Sequence, residues 1–360
     1  MHLDDYQREA AKNSRVNWGD AQSRHIPALG LLSEAGSLAG EVKKLIRDGA
    51  AYTDGYKSLQ IEFGDVLWYV AEIATHAGVT LSELRSPPDS PSRDGLRHIY
   101  RLAHAVSALM STSLSSADSE STIGLRGAIA EALNALLDAI GAEQMNLEEI
   151  CRLNLVKGSS YFGGLPIGPA PLLDADYPMH EQLPRRIDIN VLELERSSRK
   201  VEVILRVNGL NIGDRLTDNS HTDDGYRFHD AFHLAYVAVL GWSPVSRTLF
   251  RCKRKSVGEI DEVQDGARAA IVEEAITHTI WDYARGMSML HNVDRIDHNI
   301  LTLVQRMVRG LEVESCALYE WQRAFIVGFE AFRRLRENGG GWLRLDADRR
   351  ALDYFRERPV

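Results

Sequence analysis

Two short runs of acidic residues near the start of this 360-residue chain carry the spacing that chemistry would need. LLSEAGSLAGEVKK places Glu34, Ser37 and Glu41 at offsets of three and four, and LQIEFGDVLWYVAEIA places Glu62, Asp65 and Glu72 at three and seven. On helices these offsets gather the side chains on one face. The intervening residues Leu59, Phe63, Val66, Leu67 and Val70 are apolar, so the carboxylates are expected among buried neighbours. Each acid taken singly reads as a solvated helix surface. Taken together, carboxylates drawn out of water repel one another unless a cation joins them, and hard oxygen ligands suit Mg²⁺ or Mn²⁺.

A second constellation lies in the other half of the chain. DDGYRFHDAFHLAYVAVLGW holds His229, Asp230 and His233, and AAIVEEAITHTIWDYA offers Glu273, Glu274, His278 and Asp282. A carboxylate–histidine metal site between two helices is one reading, with His229, Asp230, His233, Glu274 and His278 as candidates. The other is a pair of interhelical histidines hydrogen-bonded to those acids. RTLFRCKRKS sets five basic residues within 247–255. Lacking interleaved aromatics, it reads as a solvated loop with local charge pairing.

The elements that position these groups follow from periodicity. Before residue 163 the chain reads as helix after helix: 3–16, 26–48, about 56–77, near 95–110, near 125–140 and near 146–158. The breaks SPPDSPSRDG and STSLSSADSEST read as loops. Five of the eleven prolines crowd into GGLPIGPAPLLDADYPMHEQLP, which reads as an extended linker over 163–185. Then the period becomes two: IDINVLEL and KVEVILRV, separated by ERSSR, predict a β-hairpin. Helical periodicity returns over 226–240, 263–285, 294–310 and 312–337. The expected architecture is mainly α: a helical bundle over 1–162, the linker, and a β-hairpin with a second helical bundle over 186–360.

The first of these segments looks familiar. SEAGSLAGEVKK followed by EFGDVLWYVAEIA resembles the MazG-like, all-α nucleoside triphosphate pyrophosphohydrolases, whose signature is ExxE on one helix and ExxD on the next. DDYQREAAKNS and LEEICRLNLVKGSSYF match the family's first and last helices, the latter through Asn154 and Lys157. The resemblance covers most of 3–162, with an extra helical segment at about 86–142. It implies Mg²⁺- or Mn²⁺-dependent conversion of an NTP or dNTP to the monophosphate and pyrophosphate, in a homo-oligomer. By the same resemblance, Glu34, Glu62 and Asp65 hold metal, Lys157 contacts phosphate, Asn154 fixes sugar or phosphate, and Gln7, Asn13 and Trp18 frame the base. The sequence departs from the signature at one place: the second Glu is Ser37. Glu41, one turn on, is the substitute ligand. The alternative is a catalytically weakened nucleotide-binding or interaction protein, in an anti-phage or stress response, whose function lies in the C-terminal part. That part resembles helical partner domains that accompany MazG-like modules.

Composition narrows the classes. With 51 acidic and 42 basic side chains the net charge is −9, which argues against binding to a nucleic-acid backbone. No apolar run reaches the length of a membrane span. Three separated cysteines and an opening MHLDDYQREAAKNSR without a signal-peptide core point to a reducing cytoplasm.

Overall fold

A computed structural model describes residues 1–87, 95–113, 119–163, 171–195 and 201–359. The chain divides into two compact units, Met1–Leu165 and Pro166–Val360. The turn expected at 196–199, parts of both expected loops and residues 164–170 of the proline-rich stretch lie outside the described residues.

The first unit is helical: α1 (Leu3–Lys12), α2 (Ile26–Asp48), α3 (Gly55–His76), the single turn α4 (Leu81–Leu84), α5 (Gly95–Ser113), α6 (Ser119–Ala142) and α7 (Leu147–Phe162). Helix α3 is central. Its residues Leu59, Phe63, Val66, Leu67 and Val70 are buried almost completely, and α1, α2, α6 and α7 all pack on it. The α5–α6 hairpin lies against α2 and α3, adding Leu102, Val106, Leu133 and Leu136 to the same core. Helix α7 starts where the Asn146 side chain accepts from the amides of Glu148 and Glu149, satisfying donors that a helix start leaves open. Gln7 is spent on architecture: it donates to Thr75 and the Val79 carbonyl and accepts from the Leu81 amide, tying α1 to the end of α3.

The second unit combines helices with a sheet. The hairpin expected from the alternating runs is present as β1 (Arg186–Glu195) and β2 (Val201–Val207), with Val191 opposite Leu205. It is the centre of a five-stranded antiparallel sheet, ordered β3-β2-β1-β4-β5, completed by β3 (Leu210–Leu216), β4 (Gly340–Asp346) and β5 (Ala351–Phe355). Facing residues of one side, Ile189, Val191, Val203, Leu205, Leu343 and Leu345, are buried. Helix α8 (Asp230–Leu240) is buried from Ala231 to Leu240, as expected for a helix apolar all round. The short α9 (Pro244–Leu249) and α10 (Gly258–Val263) lead to α11 (Ala267–Arg285), α12 (His298–Met307) and α13 (Leu318–Asn338). Helix α8 and α13 both pack on β4 and β5.

Two readings are corrected here. Residues 171–185 do not run free between the units but are built into the second one, where Asp174 is fully buried and accepts from the Leu183 amide and from Arg185 and Arg247. Nor is the basic run a solvated loop. Arg247 and Arg254 are each 1% exposed; Arg247 pairs with Asp174 and Asp265, and Arg254 with Asp265 and Glu312. The acids that neutralise them, Asp174, Asp265 and Glu312, come from three separate segments, two of them far away in sequence, which is why the run itself suggested only a solvated loop with local charge pairing.

Candidate functional site

Helices α2 and α3 bring Glu34 to Glu62 and Asp65: one ligand oxygen from each lies within 4.8 Å of the others. Two glycines make this possible. A β-carbon on Gly30 of α2 would collide with the Tyr69 ring of α3, and one on Gly64 would lie 2.9 Å from the Asn154 β-carbon. Their absence lets α2 and α7 close on α3 from two sides. Asn154 then donates to Asp65 Oδ1 at 3.1 Å and Lys157 Nζ donates to Asp65 Oδ2 at 2.5 Å. The Tyr6 hydroxyl donates to Asn154 Oδ1 at 2.7 Å, so a chain of contacts runs from α1 through α7 to the carboxylates.

The electrostatics are unbalanced. Burial, then the charges of Asp65 and Glu34, push the Glu62 carboxyl up to about 7. Burial and Asp65 raise Glu34. Burial also lifts Asp65 above its usual range, against the pull of Lys157 and Asn154. Glu62 Oε2 is buried and has no hydrogen-bond partner. One lysine does not offset three converging acids. A hard divalent cation fits this donor set, because it would satisfy the orphaned oxygen and the excess charge together.

The other residues singled out in the sequence fall around this group in different ways. Glu41 is buried but engaged by Lys44 and Tyr52, and is outside the three-carboxylate group. Ser37 is exposed on α2. Asn13 packs against α7, its side-chain nitrogen 2.9 Å from where a β-carbon on Gly158 would be. The Trp18 indole donates to Glu72 at 3.1 Å and stacks on His76 at 3.7 Å; Ser14 also donates to Glu72, at 2.6 Å. Thus Glu62, Asp65, Tyr69, Glu72 and His76 follow one another along a single face of α3. Tyr6 and Tyr69 were not anticipated. Tyr6 shares the apolar stripe of α1 with Leu3 and Ala10, and its burial was legible from that spacing, but its hydroxyl partner was not.

In the second unit, ligand atoms of His229, His233 and Glu274 also lie within 4.8 Å of one another. His278 is exposed and outside this group; Asp230, partly buried with its carboxylate 3.8 Å from His229 Nε2, is outside it too. His233 Nδ1 is 2.7 Å from Glu273 Oε1. Burial works against a charged His233, but the facing Glu273 and Glu274 overcome it and push its pKa up to about 10.

Comparison with known proteins bears on this half of the molecule. The model of the MazG C-terminal domain matches residues 168–358, more than half of the chain. The chain belongs to the MazG C-terminal domain family. The match spans nearly all of the second unit, so the five-stranded sheet, α8 and the His229–His233–Glu274 group are all parts of the MazG C-terminal domain. A phage protein, the Gene 37 protein of Mycobacterium phage L5, is 40% identical over 89 residues, which cover 23% of this chain and 77% of that protein. No solved structure matches. Among the described residues no helix is long and apolar enough to cross a membrane.

Proposed function

We propose that the first unit is a Mg²⁺- or Mn²⁺-dependent nucleoside triphosphate pyrophosphohydrolase, converting an NTP or dNTP to the monophosphate and pyrophosphate. The observation that carries this reading is the convergence of Glu34, Glu62 and Asp65 with one buried oxygen of Glu62 unpartnered. Membership of the MazG C-terminal domain family supports it from the other half of the chain. Divalent ions in such a site neutralise triphosphate charge and acidify a water.

The chain's own residues have separable tasks. Glu34, Glu62 and Asp65 hold the cation. Asn154 and Tyr6 fix the rotamer of Asp65 from behind, a positioning role. Lys157, which donates to Asp65 Oδ2, offers its ammonium to phosphate oxygens. In the reaction a water oxygen bonds to the α-phosphorus and gives up its proton to solvent, the bond from the α-phosphorus to the α–β bridging oxygen breaks, and pyrophosphate departs with the bridging oxygen. Lys157 then donates to the charge that develops on the departing group. Trp18, beside Glu72 and His76 of α3, and Asn13, against Gly158 of α7, would frame the base. A homo-oligomer in the cytoplasm is part of the proposal; α2 leaves Ile26, Leu29 and Leu32 exposed as an apolar edge for a second copy.

The test is pyrophosphate release from a panel of NTPs and dNTPs with Mg²⁺ or Mn²⁺, and its loss in Glu62→Gln. A second reading has its own support. With Ser37 in place of a carboxylate, and Glu41 held by Lys44 and Tyr52, α2 supplies only Glu34. Nucleotide binding without turnover on any substrate would establish that reading and sink the first. Ser37→Glu should then raise divalent affinity and bring turnover with it; a fall in both would mean the cation is held in another way.

A further inference from the structure

The group formed by His229, His233 and Glu274 has features that an incidental contact between helices lacks. His229 and His233 stand one turn apart at the start of α8 and present their rings to the same side. Each ring has its Nδ1 occupied: His229 Nδ1 lies 2.9 Å from the Tyr226 carbonyl oxygen, and His233 Nδ1 2.7 Å from Glu273 Oε1. Glu273 is fully buried and is itself fixed by the Ser243 hydroxyl at 2.6 Å and the Val245 amide at 2.8 Å. With Nδ1 of each ring turned to an oxygen, Nε2 is the nitrogen left to take a metal ion, which displaces the Nε2 proton as it binds.

At His233 that nitrogen has no partner of its own. His233 is 1% exposed and its Nε2 has no hydrogen-bond partner; the nearest acid oxygen, on Glu274, is 3.5 Å away. An orphaned ring nitrogen at this depth is costly unless something joins it. The Glu274 side chain is 45% exposed, so it can swing and leaves a path for an ion from solvent. A modest rotation brings the three atoms from within 4.8 Å toward the roughly 3.3 Å separation that bonds of about 2.0 Å impose around a tetrahedral ion. Two imidazoles and one carboxylate are softer than the all-oxygen group of the first unit and favour Zn²⁺-class ions over Mg²⁺.

We infer that the second unit binds one divalent transition-metal ion of the Zn²⁺ class through His229 Nε2, His233 Nε2 and Glu274. Glu273 is a positioning residue for His233, and Asp230 or water completes the coordination. The site does not depend on the pyrophosphohydrolase reading: a chain that hydrolyses nothing would still bind the ion.

The experiment uses the full chain carrying Glu62→Gln, which impairs the first unit's carboxylate group without touching the second unit. After stripping with a chelator, the protein is titrated with Zn²⁺ by calorimetry and with Co²⁺ by its visible absorption. One ion per chain is expected, with a spectrum showing nitrogen ligation. His229→Ala and Glu274→Gln should each weaken binding by more than about 100-fold, and Glu273→Gln by about 10–100-fold. Should Glu273→Gln fail to fold, half-exposed Glu274 still gives a clean variant. The inference is overturned if Zn²⁺ does not bind at micromolar concentration, or if His229→Ala and Glu274→Gln leave affinity unchanged; His233 would then be an ion-pair partner of Glu273 and Glu274 and nothing more.

Discussion

Replacing Glu62 by Gln should stabilise the metal-free protein above neutral pH while removing activity. The Glu62 carboxyl rises from an ordinary value of 4.5 to about 7 in the fold. A carboxyl raised in this way favours the folded state below its unfolded value, and that contribution is lost as pH climbs through the folded one. From 4.5 to about 7, at about 1.4 kcal/mol per pH unit, the ceiling is about 3 kcal/mol. Glu62 is only partly buried, and solvent screening brings this to about 1–2 kcal/mol. For a unit of this size, that is a rise of about 3–6 °C in the melting midpoint. The assay is calorimetry on chelator-treated protein from pH 5 to 8, following the transition that Mn²⁺ shifts. Glu62→Gln should melt higher than the parent at pH 8, and the gap should close towards pH 5. Mn²⁺ should raise the parent and leave the variant nearly unmoved. A variant that melts lower at pH 8, or a gap independent of pH, would refute the claim that Glu62 is held ionised at a cost.

Two further substitutions probe what surrounds the sites. Asn154→Ala strands the buried Tyr6 hydroxyl and removes one of the two donors that hold Asp65; a loss of about 1–3 kcal/mol in stability is expected, with Mn²⁺ affinity down about 10–100-fold by titration. Arg254→Met leaves Asp265 and Glu312 without their shared partner and should cost about 3–5 kcal/mol, read as a fall in the melting midpoint of the second unit only.

What could be read from sequence tracks how local each feature is. Helix α2 begins and ends where its apolar spacing and Gly49 place it, and Glu62 and Asp65 share a face of α3 as their offset implies, while of the α2 trio only Glu34 meets them. Strands β1 and β2 were legible because their alternation is unbroken. Strands β4 and β5 were not, since Gly339–Gly340–Gly341 and a run of charged residues surround them, although Leu343 and Leu345 alternate with Arg344 and Asp346. Partners distant in sequence were out of reach altogether. Asp174 with Arg247, Tyr6 with Asn154 and Trp18 with Glu72 are single contacts across long separations, and no periodicity encodes them.

The α5–α6 hairpin, laid over α2 and α3, has a consequence for how copies of this protein would relate. Its apolar residues enter the same core as Leu31, Leu67 and Val70, so that core is closed by one chain. A unit closed in this way is expected to fold in a unimolecular event, with a midpoint that does not move with concentration, unlike that of an obligate dimer. Pairing at Ile26, Leu29 and Leu32 would join parts already finished, and dilution would separate them with the carboxylate cluster still standing.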